Sequence, residues 1–114
     1  MKINYFNIGN NPATHSFTVR IYGKGTTTAP GIILFEQTYT FNKGWNTITL
    51  SNPFVIDSVS EIWAGYVTSI NGVYASSVDA GPLVDNKNWI SIDNGPYAEY
   101  TLGGNLNIRI IVEK

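Results

Sequence analysis

Apolar and polar residues alternate with a period of two along most of this chain, and turn residues interrupt the alternation every 8–12 positions. Successive side chains of a strand point to opposite sides, so the pattern predicts short β-strands with one buried and one solvated face. Ser16–Tyr22 is the clearest case: Phe17, Val19 and Ile21 take one face, Thr18, Arg20 and Tyr22 the other. Lys2–Ile8 reads as a first strand, closed by Gly9-Asn10-Asn11-Pro12. After the polar loop Gly23–Gly31 a strand runs from Ile32 to about Tyr39. Asn42-Lys43-Gly44 turns into Trp45–Leu50, whose Ile48 and Leu50 point to the core. Asn52-Pro53 breaks that strand, and Phe54-Val55-Ile56 forms a short apolar edge before a turn at 57–60.

Glu61–Thr68 reads as a central strand, because Ile62, Trp63, Ala64 and Val67 leave little for water. Asn71-Gly72 is a hairpin-turn signal. Tyr74–Val78, Trp89–Ile92 and Tyr97–Leu102 are shorter strands. Leu106–Val112 closes the chain with Leu106, Ile108, Ile110 and Val112 on one face. No window of helical length carries a 3.6-residue period. Eight or nine short strands predict an all-β fold, a two-sheet antiparallel β-sandwich of jelly-roll kind. At 114 residues the chain makes one module over 1–114, able to bury about two thirds of its unfolded surface.

One local feature adds to this frame. Ser77-Val78-Asp79-Ala80-Gly81-Pro82 returns 14 residues later as Ser91-Ile92-Asp93-Asn94-Gly95-Pro96. Asp bonds nearby backbone N–H groups, Gly accepts positive φ, and Pro holds the preceding residue out of the helical region. Each copy is therefore expected to end a strand at an ordered corner, with Asp85, Asn86, Asn88 and Asn94 close by.

Composition narrows the chemistry. The absence of cysteine excludes disulfides, zinc-thiolate sites and thiol catalysis. Net charge is −1, and the 7 Lys and Arg residues are scattered singly, which argues against nucleic-acid binding. No apolar run approaches the roughly 20 residues of a spanning helix, so membrane insertion is not expected. Few charges with 11 Gly, 7 Tyr and 3 Trp are the habit of extracellular β modules. The strand that starts at Lys2 suggests a piece of a longer secreted protein whose signal peptide lies upstream.

Several segments carry a resemblance: Val19-Arg20-Ile21-Tyr22, Ala29-Pro30-Gly31, Gly44-Trp45-Asn46-Thr47-Ile48-Thr49-Leu50, Ile62-Trp63-Ala64-Gly65-Tyr66, Val78-Asp79-Ala80-Gly81-Pro82 and Asn88-Trp89-Ile90-Ser91-Ile92-Asp93, through to Asn107-Ile108-Arg109. In this succession the chain resembles β-sandwich accessory modules of secreted Bacteroidetes-type multidomain proteins, broadly akin to the adhesin domains of gingipain haemagglutinins. The likeness covers roughly residues 17–112. It implies a non-catalytic, secreted or cell-surface module for adhesion or glycan binding beside neighbouring domains of a parent protein. It transfers no ligand residues by position. It also implies a strand before Lys2 that this chain lacks.

The residues themselves offer few catalytic options. His15 is the lone histidine and sits in a polar stretch, read as a solvated loop, with no nucleophile elbow or second histidine. Paired carboxylates among Asp57, Glu61, Asp79, Asp85, Asp93 and Glu99 would need the deep cleft of a glycosidase, which a small sandwich rarely provides. An enzyme is not expected. Two readings of the repeated corners stand side by side. Asp79, Asp85 and Asp93, helped by amides and carbonyls, supply hard oxygens for Ca²⁺; alternatively each aspartate caps its own turn, which the lack of any fixed ligand spacing favours.

For sugar binding the stacking residue is Trp89, which stands between the corners beside Asn88 and near Tyr74, Tyr97 and Tyr100. Trp89 as a core residue is the competing reading, and Trp45 and Trp63 are read as packing residues. Arg109 reads as a strand residue on the polar face. The expected ligand set is thus Trp89, Asn88, Asp79, Asp85, Asp93, Tyr74 and Tyr97. The expected partner is a polysaccharide or a host or cell-surface glycoprotein. The alternative function is a structural spacer that positions a neighbouring catalytic domain.

Overall fold

The computed structural model of the chain describes residues 1–5, 12–52, 55–56, 61–69, 79–82, 84, 88–99 and 104–111. Among these the fold is all-β, with eight short antiparallel strands in small sheets and no helix. They are β1 (Lys2–Tyr5), β2 (Thr14–Tyr22), β3 (Ile33–Asn42), β4 (Gly44–Thr47), β5 (Trp63–Val67), β6 (Trp89–Ile90), β7 (Ala98–Glu99) and β8 (Ile108–Arg109). A first sheet has the order β4-β1-β8, a second β3-β2-β5, and β6-β7 form a separate hairpin.

The alternation in β2 decides which side is core. Phe17, Val19 and Ile21 are buried, whereas Thr18, Arg20 and Tyr22 keep contact with water. Cross-strand partners share a face. Val19 faces Tyr66 and Ile21 faces Ala64, and both partners pack on the core. Ile3 and Tyr5 of β1 are fully buried, and the Tyr5 ring meets Phe17 edge-on at 5.2 Å. Phe17 also stacks on Phe41 at 4.6 Å and meets Tyr66 at 5.2 Å, so one side chain joins β1, β2, β3 and β5. Such aromatic pairs stabilise beyond the area they bury. The buried Tyr5 hydroxyl donates to the Pro12 carbonyl at 2.8 Å, and burial raises its pKa.

Several expectations are corrected. Thr14 and His15 belong to β2, not to a loop, because Thr14 and His15 pair with Asn42 and Phe41. The His15 ring is half-buried, 5.7 Å from Phe17, and its Nε2 finds no partner among the described residues. The Glu61–Thr68 segment yields β5, which flanks β2 in the described strand order; β2 holds the centre. Ile32, Ile33 and Leu34 are exposed, and only Phe35 of that apolar run packs on the core. Ile110, expected inside with Ile108, is 46% exposed, because the pairing with β1 covers only Ile108 and Arg109. The Asn71-Gly72 turn and the strand at Tyr74–Val78 lie outside the described residues.

Candidate functional site

The two copies of the repeat fold differently. In the first, Asp79 Oδ1 accepts the Gly81 N–H at 2.8 Å, the Asn105 N–H at 2.9 Å and the Asn105 Nδ2 at 3.2 Å. Asp79 Oδ2 takes a further bond from Asn105 Nδ2 at 3.2 Å. Gly81 has a φ of 79°, and its bond to Pro82 is cis. The carboxylate is held below its ordinary pKa by the Asn105 and Gly81 backbone N–H groups, then by the Asn105 amide, with a smaller contribution from the positive charge of Arg109. Asp79 is therefore a turn cap, as one of the two readings of the sequence had it. In the second copy Asp93 and Asn94 both have positive φ, 51° and 57°, and the Gly95 N–H bonds the Ile92 carbonyl at 2.8 Å. This is the pattern of a type I′ hairpin turn, and it joins β6 to β7. Here Ser91 Oγ, bonded to the Gly95 carbonyl at 2.7 Å, makes the side-chain contact of the turn.

Asn105 organises the first corner. Its Nδ2 donates to Asp79 and, at 2.9 Å, to the Pro82 carbonyl; its Oδ1 accepts the Val84 N–H at 2.8 Å and Asn88 Nδ2 at 3.2 Å. A carboxylate and a carbonyl can only accept and a backbone N–H can only donate, so the amide orientation is fixed by its partners. Asn88, expected to contact ligand, is instead interior: it is 4% exposed and its Oδ1 accepts the Leu106 N–H at 2.9 Å. Gly104 is buried where a Cβ would stand 2.2 Å from the Asp79 carbonyl oxygen, so only glycine lets the two backbones approach. Asn105 lay outside the sequence-based site, since Asn in Gly-Gly-Asn-Leu carries no local signal of what it bonds.

Trp89 and Tyr97 turn inward on the hairpin. Trp89 pairs across from Glu99 and Ile90 from Ala98, so Trp89 lies on one face and Ile90 with Ala98 on the other. The Trp89 ring is half-buried, tilted against Trp63 at 6.3 Å, and its Nε1 is buried with no partner among the described residues. Tyr97 bonds Tyr22, and burial first, then that bond, raises its pKa. Tyr22 lies opposite Trp63 on the water-facing side of the second sheet, beside Arg20, whose Nε donates to Glu36 Oε2 at 2.5 Å. The packing reading of Trp89 is the one this arrangement favours. An apolar groove of about 350 Å³ on the hairpin is lined by Ile90, Ile92, Pro96, Ala98 and Glu99. Asp85 and Tyr74 lie outside the described residues, and among the described ones no three His, Cys, Asp or Glu side chains gather as metal ligands.

The exposed tryptophan is Trp45, contrary to its expected packing role. It is 46% exposed on β4, and the Arg109 guanidinium lies over its ring, 4.5 Å from the centroid. The registers explain the meeting: Trp45 lies opposite Asn4, Thr47 opposite Lys2, and Lys2 opposite Arg109, so Trp45, Thr47, Lys2 and Arg109 share the face turned from the core. An open indole and a guanidinium thus meet on the outer face of the first sheet. No family model, curated protein or solved structure matches the chain.

Proposed function

We propose that the protein is a non-catalytic accessory module that binds carbohydrate, serving adhesion or substrate capture for a secreted or surface-displayed bacterial parent protein. The observation that carries this reading is the exposed Trp45 beneath Arg109. A pyranose presents an apolar face that stacks on an indole, while its hydroxyls bond charged and amide groups at the rim. An open, half-exposed ring suits an internal stretch of a long polysaccharide better than a buried small ligand. The framework is proposed to be a jelly-roll-like sandwich of the two three-stranded sheets. The Tyr5–Phe17 contact between their inner faces supports it.

The reading is tested by affinity electrophoresis and calorimetry against soluble plant, microbial and host polysaccharides. Binding that Trp45→Ala abolishes, with the melting temperature unchanged, is the expected outcome. Retained binding in Trp45→Ala and its loss in Trp89→Phe would move the site to the hairpin. Absence of response to every polysaccharide would leave the spacer function in its place.

A further inference from the structure

We propose that the Trp45 face selects carboxylate-bearing polysaccharides, with Arg109 and Lys2 pairing to the carboxylate of a uronic acid unit stacked on Trp45; this rests on the carbohydrate reading above. Lys2 and Arg109 are direct cross-strand partners, so their Cβ atoms stand roughly 5 Å apart on the same face. Like charges so placed repel, and a sheet gains nothing from the pair unless something negative sits between them. The three strands β4, β1 and β8 read Gly-Trp-Asn-Thr, Lys-Ile-Asn-Tyr and Ile-Arg, without an acidic residue among them. The chain as a whole carries net charge −1 with 8 acidic residues, so this sheet is locally cationic against the average.

No carboxylate among the described residues forms an ion pair with either cation; the one such pair joins Arg20 to Glu36. Both oxygens of Asp79 are engaged by Asn105 and Gly81. Trp45 steadies the Arg109 charge without consuming its N–H donors, because a cation–π contact uses the charge alone. Among the described residues, what remains is a guanidinium whose N–H donors have no recorded acceptor, cross-strand from an ammonium and over an exposed ring. A planar carboxylate takes two such donors at once, and uronic acids are common carboxylate units of polysaccharides.

The test is calorimetry of the folded chain with polygalacturonate, alginate and hyaluronan, each paired with its carboxyl-esterified form, and with dextran sulfate. Supporting the proposal, at least one uronate polymer binds about tenfold or more tightly than its ester, since bonds to charged groups are the stronger class. Arg109→Gln and Lys2→Gln bring the affinity for the acid form down to that for the ester with the melting temperature unchanged, and Trp45→Ala removes binding of both forms. Equal affinity for acid and ester, or binding of neutral polysaccharides alone, overturns the uronate assignment and leaves the carbohydrate reading standing. Dextran sulfate bound as well as the uronates overturns it in favour of general polyanion attraction. Failure of every polysaccharide, neutral and acidic, overturns both readings together.

Discussion

Replacing Asn105 by alanine removes the side chain on which the first corner closes, and the cost follows from its partners. The Val84 N–H at 2.8 Å and the Pro82 carbonyl at 2.9 Å lose ordinary bonds near the surface, worth about 0.5–1 kcal/mol each. Asn88 is 4% exposed, and its Nδ2 loses its acceptor in a place water cannot easily reach, a penalty of about 1–2 kcal/mol. The bonds to the exposed Asp79 are left out, because water replaces them at little cost. The expected loss is therefore about 3 kcal/mol. With an unfolding entropy of about 2.1 cal/mol/K per residue, a chain of 114 residues loses about 12 °C in melting temperature. Asn105→Asp sharpens the test: it keeps the acceptor for Val84 and Asn88 but turns a carboxylate toward Asp79, so it should be at least as unstable at neutral pH and recover as the solution is acidified. Thermal denaturation by far-ultraviolet circular dichroism reads both variants. A fall of less than about 3 °C in Asn105→Ala would refute the claim that this amide holds the corner.

Three further outcomes are expected. Phe17→Ala deletes the fully buried ring that meets Tyr5, Phe41 and Tyr66, and should cost about 3–5 kcal/mol in urea unfolding, enough to leave the chain marginal. A stability loss under 1 kcal/mol would place the core elsewhere. Gly104→Ala sets a Cβ against the Asp79 carbonyl oxygen and should lower stability by about 1–3 kcal/mol, whereas alanine at the open position Gly65 should be tolerated. Because the Asp79 carboxyl is depressed below 3.8, its stabilising contribution is complete above that value and is lost as pH falls through the lower folded-state value. Acid titration of stability should thus be shallower in Asp79→Asn than in the parent, and identical acid limbs would show that the Asp79 bonds do not form.

Much of the all-β character was legible because strand periodicity is a local property. β2 is the clearest example: seven alternating residues specify the buried Phe17, Val19 and Ile21 without knowledge of any neighbour. Where burial depends on what a distant strand covers, the pattern misleads. Ile32-Ile33-Leu34 reads as core by hydrophobicity, yet Ile32 is 75% exposed, since apolarity permits burial without compelling it. Ile110 fails for the same reason at the end of β8. The repeated Ser-x-Asp-x-Gly-Pro shows the limit most directly. Its residues guarantee a turn in both copies, but the turn type is set by long-range partners. Asn105 stands ready to bind the carboxylate of Asp79, whereas the β6–β7 pairing carries Asp93 into positive φ.

The same distinction separates the three tryptophans. The local sequence sets Trp63 apart by its apolar neighbours Ile62 and Ala64, but it does not tell Trp45 from Trp89, each of which follows or precedes an asparagine at a strand. Their fates follow from registers alone. Trp63 lies opposite Tyr22 on the water-facing side of the second sheet, and the β6–β7 hairpin lays Trp89 and Tyr97 against that side, so these rings cover one another. Trp45 lies on the outer face of the first sheet, where the group that reaches it is a cation rather than a second apolar layer. A guanidinium is weakly hydrated and rests readily on an aromatic ring, yet it keeps its donors for another partner. Partial cover by a cation that retains donors is what the proposed carbohydrate surface requires, and the packed pair Trp63 and Trp89 lacks it.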